Sequence, residues 1–478
     1  MHTREFPVLD EADEPLVDRL AAGLGDDAAR VLAYLLARER FADAGDPEPT
    51  TRLAVRIGTD LNRETVATAL NRLTDRDLLA TTTLRTSARG RPPNAWRPVA
   101  PESETTDRVY ATHGDRLAAQ AAAVAAAIGA GSESEREVGS GTESAGRSDG
   151  ITDARNADGN GGSDGDDENG VSESLRLGLN WEPNGLHAPF FAARAAGQYD
   201  RGGLSVEIGA NRGSGAAISG VVDGESDVAL AGAATVVRAR REGTPVVPLA
   251  LCFQRAMTTL YTTRAAFGGP FERVHQLRGK RVGTSSRSET GLLGRLFLAQ
   301  AGVLDEVTVV DIAGEERAAL REDLADVVTG SFADPRRLER EGETVDALAV
   351  ADQFPMYGPA LVTTETTLRT RRSALEAFLA GTTAGWTEAV SNPTEAVRAI
   401  DGRGGTGRYA SLDDAGRDGS SDSEGKTHSG GLDRERRTFE RAVREFGASA
   451  RVENHGWGWH DRGGWQRLET ALGQVDLV

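Results

Sequence analysis

From Leu175 to about Ile400 the chain alternates short apolar runs with helical patterns, and this rhythm constrains the fold most. Strands are predicted at Leu175–Leu179, Gly203–Ile208, Val228–Ala231, Val246–Cys252, Val307–Asp311 and Ala347–Val350. Helices are predicted at Phe190–Gly197, Ser214–Asp223, Thr235–Arg241 and Glu289–Ala301, the last opening from a strand-then-loop stretch, Gly279 to Ser288. Such alternation points to parallel sheets with helices on both faces. Ligands of these folds bind at the carboxyl ends of the strands, where loops and helix N-termini gather.

A chain of 478 residues is too long for one hydrophobic core, so two or three domains are expected. Residues 10–100 alternate helical patterns with turns, and 105–129 form one more helix. Residues 131–173 are acidic, Gly/Ser-rich and without apolar periodicity, which predicts a disordered linker. The remainder, 175–478, carries a second such patch at 401–432, expected as a disordered surface insertion, before helix returns at 433–446.

Net charge is −18, and of 55 basic residues only Lys280 and Lys426 are lysines. Acid excess with little lysine resembles haloarchaeal adaptation to high internal salt; a GC-rich genome is the plainer source of the same Arg-for-Lys bias. Either way the acidity is a solvation property of the surface and identifies no partner. The single cysteine, Cys252, excludes an intramolecular disulfide and any Cys-based zinc site. Met1–Phe6 leads into Asp10, Glu11, Asp13 and Glu14 with no apolar run, and Ala118–Ile128 is too short to span a bilayer. A soluble, cytoplasmic protein without membrane insertion is expected.

In the N-terminal part, helices are predicted at Pro15–Leu24, Asp26–Arg40, Thr51–Ile57 and Asn62–Asp75, with a tight turn at Gly58-Thr59-Asp60. Strands follow at Leu78–Leu84 and Asn94–Val99, joined through Arg89-Gly90-Arg91-Pro92-Pro93. This is the order of a winged helix-turn-helix, mostly α with a β-hairpin wing, and the Gly-Arg-Pro-Pro tip resembles the wing of archaeal and bacterial regulators. Thr50 to Val99 holds nine arginines against four acids, a local +5. Arg63, Thr65, Thr68, Asn71 and Arg72 stand away from the apolar stripe of Asn62–Asp75. Arginine and asparagine there are placed for paired hydrogen bonds to base edges of double-stranded DNA. Arg85, Arg89 and Arg91 on the wing would meet phosphates. A wing used for protein contacts, its arginines merely solvated, is the bland alternative. Leu117, Ala121, Val124 and Ile128, spaced by four, three and four, form a seam that either pairs with a second copy in a homodimer or packs back on its own domain.

Several motifs of the C-terminal half resemble the sulfonate and thiamine-pyrimidine-precursor binding family. They are Leu179-Asn180-Trp181-x-Pro183 with His187-x-Pro189, Gly197-Gln198-Tyr199, Gly224-x-x-Asp227, Gly243-x-Pro245-Val246-Val247, Leu277-Arg278-Gly279-Lys280-Arg281-Val282-Gly283 and Val345-Asp346-Ala347. The resemblance implies an α/β two-lobed periplasmic-binding-protein-like (type II) fold that closes on a small-molecule ligand, pyrimidine-like or anionic. Trp181 offers a π face for a flat heterocycle, and Asn180 and His187 can hydrogen-bond to it, although each could equally be a satisfied core group. Ser285, Ser286, Ser288 and Thr290 lead into a helix N-terminus, the kind of place that holds an anion, where Glu289 and Glu315 add opposing charge. Asp352 could accept from an amino group. Ala233 and Thr235 belong to a small-residue loop that lets a ligand approach backbone.

A catalytic branch of that family, the fungal-type pyrimidine-precursor synthase, carries pyridoxal phosphate on a lysine. Aligned on the same motifs, its lysine falls at Ala231, its reactive histidine at Thr235, and its cysteine-rich iron site near 354–358. A Schiff base needs an amine and the iron site needs thiolates, so no enzyme, cofactor or metal is expected. His455-x4-His460-Asp461 comes nearest to metal-ligand spacing and reads better as the cap of a last helix, Trp465–Leu472. Two functions follow as expectations. The first is a ligand-responsive transcriptional regulator sensing a thiamine-precursor-like molecule. The alternative is a substrate-binding protein of ABC transporter type.

Overall fold

The computed structural model describes residues 8–40, 49–84, 92–125, 128, 173–286, 288–354, 356–401 and 428–474. The N-terminal elements are α1 (Glu14–Leu24), α2 (Asp26–Arg40), β1 (Thr50–Thr51), α3 (Arg52–Thr59), α4 (Arg63–Thr74), β2 (Leu79–Thr83), β3 (Asn94–Pro98) and α5 (Glu102–Ala125). Strand β3 lies between the other two, antiparallel to both, with Thr50 opposite Trp96 and Leu79 opposite Pro98. Capping explains where the short helices start. The Thr51 hydroxyl accepts from Ala54 N, and Asn62 Oδ1 accepts from Glu64 N at 3.0 Å and Thr65 N at 2.9 Å. Asp60 makes the turn between them at φ 56°, a left-handed position that aspartate tolerates. Leu20, Leu32, Val55, Val66, Leu70, Leu73 and Trp96 form one buried core. Arg85, Arg89 and Arg91 lie outside the described residues.

The C-terminal half holds two five-stranded sheets. Its elements run β4 (Glu173–Leu179), α6 (Ala188–Ala195), β5 (Leu204–Ala210), α7 (Ser214–Val222), β6 (Val228–Ala231), α8 (Ala233–Arg241) and β7 (Val246–Leu251). They continue with β8 (Thr258–Thr263), β9 (Arg281–Thr284), α9 (Glu289–Gln300), β10 (Thr308–Asp311), β11 (Val327–Ser331), β12 (Val345–Ala349), β13 (Ala360–Thr364) and α10 (Arg372–Ser391). Last come α11 (His428–Ala442), α12 (Ala450–His455) and α13 (Arg462–Gly473). The strand orders are β5-β4-β6-β13-β7 and β10-β9-β11-β8-β12. In each sheet the first three strands are parallel, and the fourth, β13 or β8, runs antiparallel to both its neighbours. The sheets are therefore mixed, which corrects the expectation of parallel ones.

One pattern made twice gives two lobes, and the chain passes between them at 252–257 and 350–359. The two crossings lie side by side, Cys252 N donating to Pro359 O at 2.8 Å and Ala256 N to Met356 O at 2.9 Å. The expected linker falls outside the described residues except for Glu173, which opens β4. Of the expected insertion, 402–427 fall outside and 428–432 begin α11. Among the described residues no helix is long and apolar enough to cross a membrane.

The seam on α5 is where sequence and structure part. Leu117, Ala121, Val124 and Ile128 are each no more than 1% exposed, covered by this chain itself. The seam packs on the first lobe and not on the N-terminal helices alone. Leu117, Ala118 and Ala121 join the core containing Leu249, Ala250, Leu375 and Leu379; Val124 and Ile128 join the one containing Val236, Val237 and Val246. Gly114 permits the approach, since a Cβ there would strike the Glu376 carbonyl on α10. Arg240 finishes the helix, its guanidinium donating to Ala125 O at 2.9 Å and Ile128 O at 3.0 Å. The two halves therefore pack directly against each other.

A second bridge is the stretch 445–461. Trp457 N donates to Ala22 O at 2.7 Å, and His113 Nε2 meets Trp457 O at 2.7 Å. On its other side, Gln254 of the first crossing donates to Phe446 O and, through Nε2, to Trp459 O at 3.1 Å. One strap thus touches both the N-terminal helices and the crossing between lobes.

Candidate functional site

In the first lobe, the strand ends bring together Asn180-Trp181 after β4, Asn211–Gly213 after β5 and Gly232 after β6. The loops are tied by backbone: Gly213 N donates to Asn180 O at 2.9 Å, and Gly232 N to the Ser214 hydroxyl at 2.9 Å. Trp181 is 57% exposed, so its indole face is available for stacking. His187 is not. It is 2% exposed, its Nε2 lies 3.2 Å from Asn180 Oδ1, and its Nδ1 accepts from Asn184 N at 3.2 Å. With both nitrogens engaged, and the charged form pushed down to a pKa of about 3 by burial, His187 is a neutral positioning group. It steadies the Asn180 side chain and the turn Asn184–His187.

In the second lobe, the serine loop after β9 is largely committed to itself. Ser288 caps α9, accepting from Gly291 N at 2.9 Å, donating to Ser285 O at 2.9 Å and standing 3.1 Å from the Thr290 hydroxyl. Ser286 donates to Asp311 at 2.6 Å, one of the bonds that hold that carboxyl below its ordinary range. Ser285 Oγ is buried with no hydrogen-bond partner among the described residues. Asp352 pairs with Arg255 at 2.8 Å, tying the two crossings together, and stays largely exposed. A groove of about 380 Å³ along α13, lined by Gln466, Arg467 and Thr470, lies elsewhere.

Ala233 and Thr235 sit in the first turn of α8 and are buried. Thr235 and the neighbouring Ala234 amide meet Glu289, which the sequence shows only as added negative charge. Glu289, from the opposite lobe, accepts from Ala234 N at 3.0 Å, from Thr235 N at 2.8 Å and from the Thr235 hydroxyl at 2.6 Å. Burial raises its pKa, opposed by these bonds and by Arg238. Spacing alone gave no signal of this contact, because it forms only when two lobes face each other. Ser214, the first residue of α7, gave no signal of its hydroxyl's bond to Gly232, which belongs to the small-residue loop expected near a ligand.

On the N-terminal half, Arg63, Thr68 and Asn71 are exposed along α4 and Thr65 is half-buried. Arg72 is turned the other way, its Nη1 donating to Asn454 O on α12 at 2.6 Å. It docks the end of α4 on the strap and leaves the set of free base-reading candidates. Arg76 and Arg116 stand near it, and burial lowers the pKa of all three. His455 and His460 share no metal-like cluster among the described residues. His460 Nε2 lies 3.1 Å from Leu249 O while Nδ1 accepts from Trp465 Nε1, and Asp461 caps α13 through Gly464 N at 2.7 Å, as expected.

Residues 184–396 match a family model described as NMT1/THI5 like. The chain is 27% identical over 229 residues to the riboflavin-binding protein RibY of Chloroflexus aurantiacus, covering 47% of this chain and 64% of that protein, less than two thirds of its length. It is 25% identical over 241 residues to the formylaminopyrimidine-binding protein of Halalkalibacterium halodurans, covering 49% of this chain and 71% of that one. Among solved structures, the aliphatic sulphonate binding protein SsuA from Escherichia coli overlaps 48% of this chain and 78% of its own, at 15% identity and a TM-score of 0.41. The C-terminal region has a periplasmic-binding-protein-like α/β fold, and over 184–396 it is similar to the NMT1/THI5-like family. These relatives are binding proteins, not enzymes, in keeping with the non-catalytic reading.

Proposed function

We propose that the chain binds a small heteroaromatic molecule between its two lobes, as a substrate-binding protein does. The observation that carries this is the pairing of two sheets of one strand order through adjacent crossings, with Trp181 exposed at the strand ends. Relatives named for riboflavin and for formylaminopyrimidine share a ligand chemistry, a pyrimidine-type ring with hydrogen-bonding edges. Trp181 would stack on that ring, Asn180 would meet its edge while held by His187, and Ser285 and Thr290 would act from the opposite lobe. Thermal-shift titration with riboflavin and with formylaminopyrimidine in high salt tests it. Stabilisation is expected from one of them, and Trp181→Ala should weaken binding about tenfold, roughly 1.4 kcal/mol. Indifference to both ligands would end the proposal.

The relatives favour substrate binding alone, in service of a membrane permease. A second role, transcription regulation from the cytoplasm, is favoured by one feature of this chain. The order α2-β1-α3-α4-β2-β3, with β3 central in its sheet, is that of a winged helix, and α4 presents Arg63, Thr68 and Asn71 outward. On this reading Arg63→Ala with Asn71→Ala lowers retention of duplex DNA at least about tenfold, because each paired base contact carries about 1–3 kcal/mol. Unchanged retention in a gel-shift assay would remove the DNA reading and leave ligand binding untouched.

A further inference from the structure

Glu289 opens α9 on the second lobe, yet its carboxylate is held by the first. Three donors converge on it, two backbone amides of α8 and the Thr235 hydroxyl. The amides carry the partial positive charge of a helix start, which favours an anion. The space is shaped to match, since a Cβ at Gly232 would collide with the Glu289 side chain. Nothing in the folding of α9 requires this reach, because Ser288 already caps that helix. The contact therefore acts between lobes and not within one.

We propose that Glu289 is an interlobe latch: a built-in carboxylate that holds the lobes together without ligand and that an entering ligand displaces with an acceptor group of its own. The second half rests on the ligand reading above; the first does not. The incoming group is one that can replace a carboxylate before three donors, namely a carboxylate, phosphate, sulfonate or imide oxygen. The latch is releasable because desolvation of the carboxylate offsets much of what its hydrogen bonds contribute. Glu289 thereby sets a threshold that excludes ligands with only donor groups at this end.

The test uses the full chain with Glu289→Ala and Glu289→Gln, and sodium acetate exchanged for sodium chloride at constant ionic strength. Glu289→Ala is expected to show a larger radius of gyration by small-angle scattering and a Tm lower by several degrees. Acetate should restore that Tm by filling the vacated donors, while leaving the wild type unmoved. Glu289→Gln keeps the size of the side chain and one acceptor oxygen but loses the charge and sets its NH2 against a donor, so it should scatter as a partly opened molecule; it serves if the alanine variant does not fold. Wild-type scattering in the variants, with no response to acetate, would overturn the latch. Riboflavin titration of the same variants separates the two proposals. Opening and acetate rescue without riboflavin or pyrimidine binding would retain the latch and discard the ligand reading. Several-fold tighter binding in Glu289→Ala would support both.

Discussion

Between pH 7 and pH 5 the folded state is expected to lose on the order of 6 kcal/mol of unfolding free energy, carried by three histidines. His113, His187 and His460 are buried, and burial holds their pKa values down to about 3, 3 and 4 against an ordinary 6.5. A histidine with a depressed folded pKa takes up its proton more readily once unfolded. Stability is thus level above pH 6.5, falls as the unfolded form protonates, and goes on falling until the folded pKa is reached. Each contributes about 2 kcal/mol of loss by pH 5.

Burial sets the direction, and the surroundings of Nδ1 agree with it. Nδ1 of His187 accepts from Asn184 N, and Nδ1 of His460 accepts from Trp465 Nε1, so a second ring proton would face a donor. Nδ1 of His113 has no acceptor within reach among the described residues. Glu289 and Asp334, whose pKa burial raises, act in the opposite sense from their raised folded pKa downward and so offset part of this loss. Urea unfolding at a series of pH values measures this. A stability profile that stays flat from pH 7 to 5 would refute it, and His187→Gln should reduce the slope by about a third if the three act alike.

Leu117→Asp is expected to unfold the first lobe, although residue 117 precedes the matched family region by more than sixty residues. It is fully buried in the core shared with β7 and α10. Removing the isobutyl group costs about 2–5 kcal/mol, and an unpaired carboxylate in its place adds to that. Since domains are marginally stable by roughly 5–15 kcal/mol, this one substitution removes most of the reserve. By the same argument, residues 173–478 expressed without α5 expose the faces of α10 and β7 that α5 covers, and should aggregate. Residues 101–478 keep α5 but lack the cover over α1's partners, an intermediate case that circular dichroism can rank. Cooperative unfolding of the 173–478 segment at the wild-type Tm would defeat the claim.

How much of this was readable in advance follows from what each residue does locally. Val228–Ala231, Val246–Leu251 and the four N-terminal helices announced themselves through apolar runs, stripes and caps, which are short-range properties. Strand β8, Thr-Thr-Leu-Tyr-Thr-Thr, gave no such signal: every residue is buried, so neither alternation nor an apolar run appears. That hides one of the two antiparallel fourth strands; the other, β13, carries only the three-residue apolar run Ala360-Leu361-Val362, too short to mark a strand. The stripe on α5 was visible, but a stripe names no partner. His187 and Asp352 had the right chemistry for a ligand, and only tertiary contacts with Asn180, Asn184 and Arg255 show that other groups already hold them. Glu289 shows the converse, a site group whose role exists only across a gap between lobes.

The interleaving of α5 with β7, α10 and the strap at 445–461 also bears on how the molecule is made. The first lobe draws on residues near 117, on 173–251, on 360–391 and on the stretch around Trp457, so its interior is complete only once that last stretch has been made. Until then α5 carries an uncovered greasy edge, and contacts so distant along the chain form slowly.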